Sequence, residues 1–122
     1  MPRIGFIQND LDLKMMILYL MDRVAAPISF LQLLDLAMCD SGVDYFSLSQ
    51  AVGHMVETEH LSLEEGRYAI TEKGRRNSKI CEDSLPFSVR RRCDANLSAL
   101  NQTLRRQEQV QSHMRRTIMK RK

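Results

Sequence analysis

Gln50 and His54 are four residues apart, with Ser49, Gly53 and Glu57 beside them. Residues at that spacing stack on one face of a helix. The chemistry such a face offers is hydrogen bonding. Gln50 can pair bidentately with adenine, Ser49 can bond to a base or a phosphate, and His54 can donate to an acceptor on a base edge. A second set, Lys73, Arg75, Arg76 and Lys79, is basic. Positions 72, 75, 76 and 79 share a helix face, so Arg75, Arg76 and Lys79 can act together on phosphates. Arg90-Arg91-Arg92 is a further basic run, and Arg67 follows the acidic stretch Glu64-Glu65-Gly66. Each set has a plainer reading. Small polar residues decorate any exposed helix, Gln50 has a capping role available, Arg67 can pair with Glu64, and charge runs are commonly solvated faces.

Other chemistries lack their residues. The histidines (His54, His60, His113) and cysteines (Cys39, Cys81, Cys93) show no metal-ligand spacing such as C-x-x-C or H-x-x-x-H. There is no glycine-rich phosphate loop, and the chain has only five glycines. Cys39 reads as a small buried hydrophobe, because no neighbouring cation would lower its pKa. We therefore expect no catalytic residues, no metal and no cofactor.

The elements that must position these residues follow from spacing. Leu13, Met16, Ile17, Leu20, Met21 and Val24 form a helical stripe from about Asp10, started by Asn9 or Asp10 and ended before Pro27. Ser29 with Gln32 is a capping box, and Ile28 with Leu33 the matching hydrophobic staple. The second helix runs to about Cys39, burying Leu33, Leu34 and Ala37, and Asp40-Ser41-Gly42 breaks it. Ser47 with Gln50 repeats the capping box and opens a third helix to about Glu59, with Leu48, Ala51, Val52, Met55 and Val56 inward. Two capped helices joined by a short turn form a helix-turn-helix layout.

Leu61-Ser62-Leu63-Glu64 and Arg67-Tyr68-Ala69-Ile70 alternate on either side of Glu65-Gly66. A two-residue loop sets Leu63 opposite Tyr68, Leu61 opposite Ile70 and Glu64 opposite Arg67, so both apolar pairs share one face. A hairpin directly after the third helix is a wing. Thr71 can cap a fourth helix over about Glu72 to Asp83, with Ile80 as its apolar anchor, and Ser84-Leu85-Pro86 ends it. From about Ser88 the chain reads as one long polar helix. Leu97, Leu100, Leu104, Met114 and Ile118 follow a heptad-like seam that Gln107 and Gln111 interrupt, and the final Lys120-Arg121-Lys122 is expected to fray.

With 122 residues and 43% hydrophobic content, the chain is about one domain's worth of material. Three scattered cysteines among eight methionines fit a reducing cytoplasm better than a disulfide framework. No signal peptide is read, and the apolar stretch around Met15 to Met21 is too short to span a bilayer. Residues 1–66 hold three Lys/Arg against ten Asp/Glu, a balance of −7. Residues 67–122 hold fifteen against five, a balance of +10. A polyanion therefore feels mainly the second half.

The run Ile70-Thr71-Glu72-Lys73-Gly74-Arg75-Arg76, leaving a wing strand and entering a helix, resembles the hallmark of winged-helix regulators of the PadR and MarR type. Gly5-Phe6-Ile7-Gln8-Asn9, the stretch from Cys39 to Phe46, and Ser84-Leu85-Pro86-Phe87-Ser88-Val89-Arg90 resemble, more narrowly, an uncharacterised bacterial family allied to the PadR-like proteins. The resemblance covers about residues 4 to 100. It implies the winged-helix fold, a regulatory role inferred from that fold, and relatives that often continue past the end of this chain.

The expectation is a mainly α fold with a small β-hairpin: a winged helix-turn-helix over 1–84, then a long C-terminal helix over 85–122 with a basic tail. The expected function is transcriptional regulation by binding double-stranded DNA. The third helix would enter the major groove through Ser49, Gln50 and His54, with Arg67, Lys73, Arg75, Arg76 and Lys79 near phosphates. A homodimer through Leu97, Leu100 and Leu104 is expected, although these leucines could instead pack on the first helix. The rival reading is a winged helix used as a protein-interaction module, favoured by the acidic wing tip and acidic first half. A third is nonspecific binding of nucleic acid or an acidic partner by the basic half alone.

Overall fold

The computed structural model describes residues 10–38 and 43–120, with side chains over 11–38 and 43–106. Every residue from Met16 to Met21 in helix α1 (Asp10–Arg23) is buried. That run exceeds one helical turn, so α1 is covered on all sides rather than along one stripe. The expected stripe is present, and Leu18 and Tyr19 add a second buried face. Around α1 pack α2 (Phe30–Ala37), α3 (Tyr45–Glu57), strands β1 (Leu61–Glu64) and β2 (Arg67–Ile70), α4 (Glu72–Cys81) and α5 (Phe87–Lys120). A 3-10 turn at Glu82–Ser84 joins the last two helices. Helix, turn, helix and hairpin in this order form a winged helix-turn-helix, followed by a long C-terminal helix.

The start of α2 is as its sequence requires. Ser29 Oγ accepts from Gln32 N at 3.2 Å, and Gln32 Oε1 accepts from Ser29 N at 2.9 Å. Ile28 and Leu33 on either side are fully buried. Ile28 does more than staple the helix: its N–H donates to Tyr68 O at 3.0 Å and its carbonyl accepts from Tyr68 N at 2.7 Å. The hairpin is thereby tied to the helical body by a one-residue third strand. Cys39 and Gly42, expected at the end of this helix, lie outside the described residues.

The hairpin has the register its alternation demands, Leu61 with Ile70, Leu63 with Tyr68 and Glu64 with Arg67. Glu65 at φ 51° and Gly66 at φ 77° make the two positive dihedrals of a tight turn that matches strand twist. Past β2 the chain is held closely. Thr71 Oγ1 donates toward Glu59 O at 2.6 Å and His60 O at 3.1 Å, and accepts from Gly74 N at 3.1 Å. A Cβ at Gly74 would stand 2.3 Å from His60 O and 2.7 Å from Ile70 Cγ1. Only glycine allows the first turn of α4 to approach the chain leaving α3 this closely.

Two expectations are corrected in the last helices. Ile80 does not anchor α4; it is 76% exposed. The inward face of α4 is instead built from the small residues Gly74 and Ser78, four apart, with Gly74 set against the His60 backbone and Ile70. Leu97 is not surface for a partner: at 4% exposure it belongs to this chain's own core, with Val89 and Cys93 before it on α5 and Leu85 just ahead of that helix. Leu100 and Leu104 pack half-buried against the same core. The boundary at residue 84 therefore does not divide two cores. Met114, Ile118 and the intervening glutamines lie outside the described side chains.

Polar side chains of α5 also do what spacing alone did not suggest. Asp94 accepts from the Tyr19 hydroxyl at 2.7 Å, and burial together with that bond pushes the Tyr19 phenol up to about 12. Asn101 caps the end of α1, accepting from Ala25 N at 2.8 Å and donating to Arg23 O at 3.2 Å. Asn96 donates to Leu36 O near the end of α2 at 3.2 Å. Helix C-termini leave carbonyls without intrahelical donors, and α5 supplies some of them.

Two glycine-to-alanine changes should move stability in opposite directions. Gly74→Ala should cost about 1–3 kcal/mol, because the new methyl meets backbone rather than a flexible side chain. Gly53→Ala, in the middle of α3 with nothing within 4 Å of its added Cβ, should gain about 0.5–1 kcal/mol from helix propensity. Urea unfolding of both variants reads the two signs.

Candidate nucleic-acid interface

α3 begins three residues earlier than the Ser47–Gln50 box implies. Asp44 is the N-cap: its Oδ1 accepts from Ser47 N at 2.8 Å and its Oδ2 from Ser47 Oγ at 3.1 Å. A carboxylate there satisfies a first-turn N–H and faces the positive end of the helix dipole. Ser47 thus becomes the capped residue rather than the cap. Gln50 has no capping role and lies exposed on the helix surface.

The inner face of α3 is Leu48, Ala51, Val52 and Met55. Its outer face carries Ser49, Gln50, Gly53, His54 and Glu57, all exposed. No neighbouring atom comes within 4 Å of a Cβ built on Gly53. The middle of the outer face is therefore bare backbone with hydrogen-bonding groups around it. His54 is not isolated, since its Nδ1 is contacted by Lys14 Nζ of α1. Lys14 stands forty residues away, and no spacing rule would have joined the two.

The four basic residues of α4 do not act as one group. Lys73 Nζ donates to Thr58 O at 2.8 Å, placing a cation on the carbonyl end of α3. Arg75 Nη1 pairs with Asp22 Oδ1 of α1 at 3.1 Å. Arg76 and Lys79 are exposed. Arg67 is exposed at the wing, in register with Glu64. The structure therefore keeps Ser49, Gln50 and His54 on one surface, while it draws Lys73 and Arg75 partly into internal contacts.

His60 holds the base of this arrangement and was not singled out by the sequence. The Thr58 hydroxyl donates to Met55 O at 3.2 Å and sits 2.7 Å from His60 Nδ1. The other ring nitrogen, Nε2, meets the Asn77 side-chain amide of α4, so both nitrogens of His60 have a hydrogen-bonding partner. The network fits a neutral imidazole. Burial lowers the His60 pKa from its ordinary value, and the positive charges of Lys73, Lys14 and His54 lower it further.

A family model described as a domain of unknown function, DUF4364, matches residues 13–120. No curated protein and no solved structure matches the chain.

The lowered His60 pKa sets the sign of a pH effect. Below about 6.5, the unfolded value, the unfolded chain takes a proton that the folded chain resists, so stability should fall as pH drops. The loss should level off once pH passes below the folded value. Thermal unfolding from pH 8 to pH 5 should show this decline, and His60→Gln should make the same interval flatter. An unchanged slope in the variant would remove His60 from the explanation.

Proposed function

The chain belongs to the DUF4364 family, whose description assigns no activity, and on its geometry we propose that it is a DNA-binding transcriptional regulator. The reading rests above all on the outer face of α3. It is the second helix of a helix-turn-helix, its outward residues from Ser49 to Glu57 are hydrogen-bonding or bare, and its centre at Gly53 is open to close approach. Such a helix can enter a major groove with its N-terminal turns, Ser49, Gln50 and His54 meeting base edges. Arg76 and Lys79 are the best-disposed phosphate ligands of α4. Lys73 and Arg75 would contribute charge from within their internal contacts, and Arg67 would do so from the wing. Pairing of two copies belongs to the same proposal. With Leu97 committed to the core, a second copy would meet the half-exposed edges of Leu100 and Leu104.

A protein-interaction module is the second reading. Tyr45 and Phe46 at the start of α3 and Leu31 and Met38 on α2 are exposed, and the wing tip holds Glu64 and Glu65. Exposed apolar side chains beside an acidic loop suit a protein surface better than a phosphate backbone.

Fluorescence anisotropy of a labelled generic duplex separates the two. The regulator reading expects binding whose log–log salt slope is about −3 or steeper, as several phosphate contacts require. It also expects two chains per duplex at saturation. Gly53→Glu, in open space on the fold, should keep its thermal stability yet lose about tenfold or more in affinity, because it carries a carboxylate into the groove. No binding at low salt would favour the protein-interaction reading.

A further inference from the structure

Phe46 stands in the first turn of α3 and is 69% exposed. A helix opened by Ser47 would leave it outside, but the Asp44 cap takes it in. Phe46, Ser49, Gln50 and Gly53 then follow the spacing i, i+3, i+4 and i+7, which puts them on one face. An aromatic ring thus forms the N-terminal end of the same stripe that the DNA-binding reading turns toward the groove. Tyr45, one residue earlier, lies on another side of the helix. Its ring meets Phe30 nearly edge-on, the centroids 5.1 Å apart and the planes at 76°. Among the described residues no ring contact engages Phe46. We propose that Phe46 reads thymine, its ring packing on the C5-methyl group in the major groove next to an adenine bound by Gln50. The proposal deepens the DNA-binding reading and rests on it.

The chemistry of the base edges selects thymine. A phenyl ring has no hydrogen bond to offer, and the apolar group that bases display in the major groove is the thymine methyl. Over a G·C pair the ring would instead cover polar edge groups and return no hydrogen bond to them. Gln50 carries the acceptor and donor that adenine N6 and N7 require. It follows Phe46 by one turn, about 6 Å along the helix axis, which is about one or two base steps. Neighbouring A·T pairs supply a methyl and an adenine edge at that separation. Gly53, the next position of the stripe, has no side chain to hold the helix away from the base pairs.

The first turn also has little to give a phosphate. The Ser47 N–H and hydroxyl, which could have met one, both go to Asp44. Contact there falls to the exposed ring, and burying a methyl against it removes apolar surface from water on both sides.

Anisotropy of the full chain with two labelled duplexes tests the proposal. One alternates adenine and thymine, and the other carries uracil in place of every thymine. The two differ only in the methyl groups, and every internal adenine has thymine on both sides, so no operator need be known. The uracil duplex should bind about threefold or more weakly, as loss of a buried methyl requires. That ratio should hold as salt rises, because a methyl contact releases no counterions. Phe46→Ala should retain the fold, as judged by its own unfolding curve, and bind the two duplexes alike. Equal binding by the unaltered chain would overturn the proposal while leaving the DNA-binding reading in place. So would a preference that survives in Phe46→Ala, which would belong to duplex shape instead. No binding to either duplex at low salt would overturn both, and would leave the ring to a protein surface.

Discussion

At the foot of the wing the backbone of His60 passes so close to α4 that a side chain at Gly74 would stand 2.3 Å from its carbonyl oxygen. Thr71 binds the same carbonyl through both its backbone N–H, at 3.1 Å, and its hydroxyl. Lys73 reaches back to Thr58, and Asn77 to the His60 ring. Three elements meet at this point: the end of α3, the return strand of the hairpin and the first turn of α4. If they were held apart, Thr71 would lose its carbonyl partners and Lys73 the carbonyl end of α3. The run from Ile70 to Arg75 is thus first a structural junction, and its two basic residues, Lys73 and Arg75, both make contacts within the chain.

The unequal charge of the two halves has a related consequence. Residues 1–66 are acidic and residues 67–122 basic, and the fold brings some of the opposite charges together. Arg75 of α4 pairs with Asp22 of α1, and Arg23 of α1 pairs with Glu82 of the 3-10 turn while its guanidinium lies 3.8 Å from the centre of the Tyr19 ring. These contacts are at least partly solvated, so each contributes little to stability. Their larger effect is to engage cations that are themselves exposed. Lys73 and Arg75 already have partners within the chain, so Arg76 and Lys79 are better placed to meet a polyanion.

Features fixed by short-range spacing were legible in the sequence. The Ser29–Gln32 box, the hairpin register and the Thr71 cap all rest on residues within ten positions of one another, and all have their expected partners. The start of α3 misled because two caps compete there: Ser47 and Gln50 satisfy the spacing rule, but Asp44 binds Ser47 first with a charged acceptor. Ile80 misled because apolar character suggested an anchor where the helix packs by its smallest residues. The role of α5 was out of reach. Asp94, Asn96 and Asn101 look like ordinary polar helix residues until their partners on α1 and α2, some sixty or more residues away, are known. For the candidate interface, the outer face of α3 was readable from helical spacing, whereas the Lys14–His54 contact and the His60 network needed the tertiary fold.

Whether α3 presents its outer face to DNA, as proposed above, is read by mapping backbone amide shifts by NMR while titrating in a short duplex. The account predicts the largest changes in Ser49, Gln50, Gly53 and His54, with a second group at Arg76 and Lys79. Changes confined to the basic end of α5, with α3 unmoved, would contradict it and leave only a nonspecific electrostatic association.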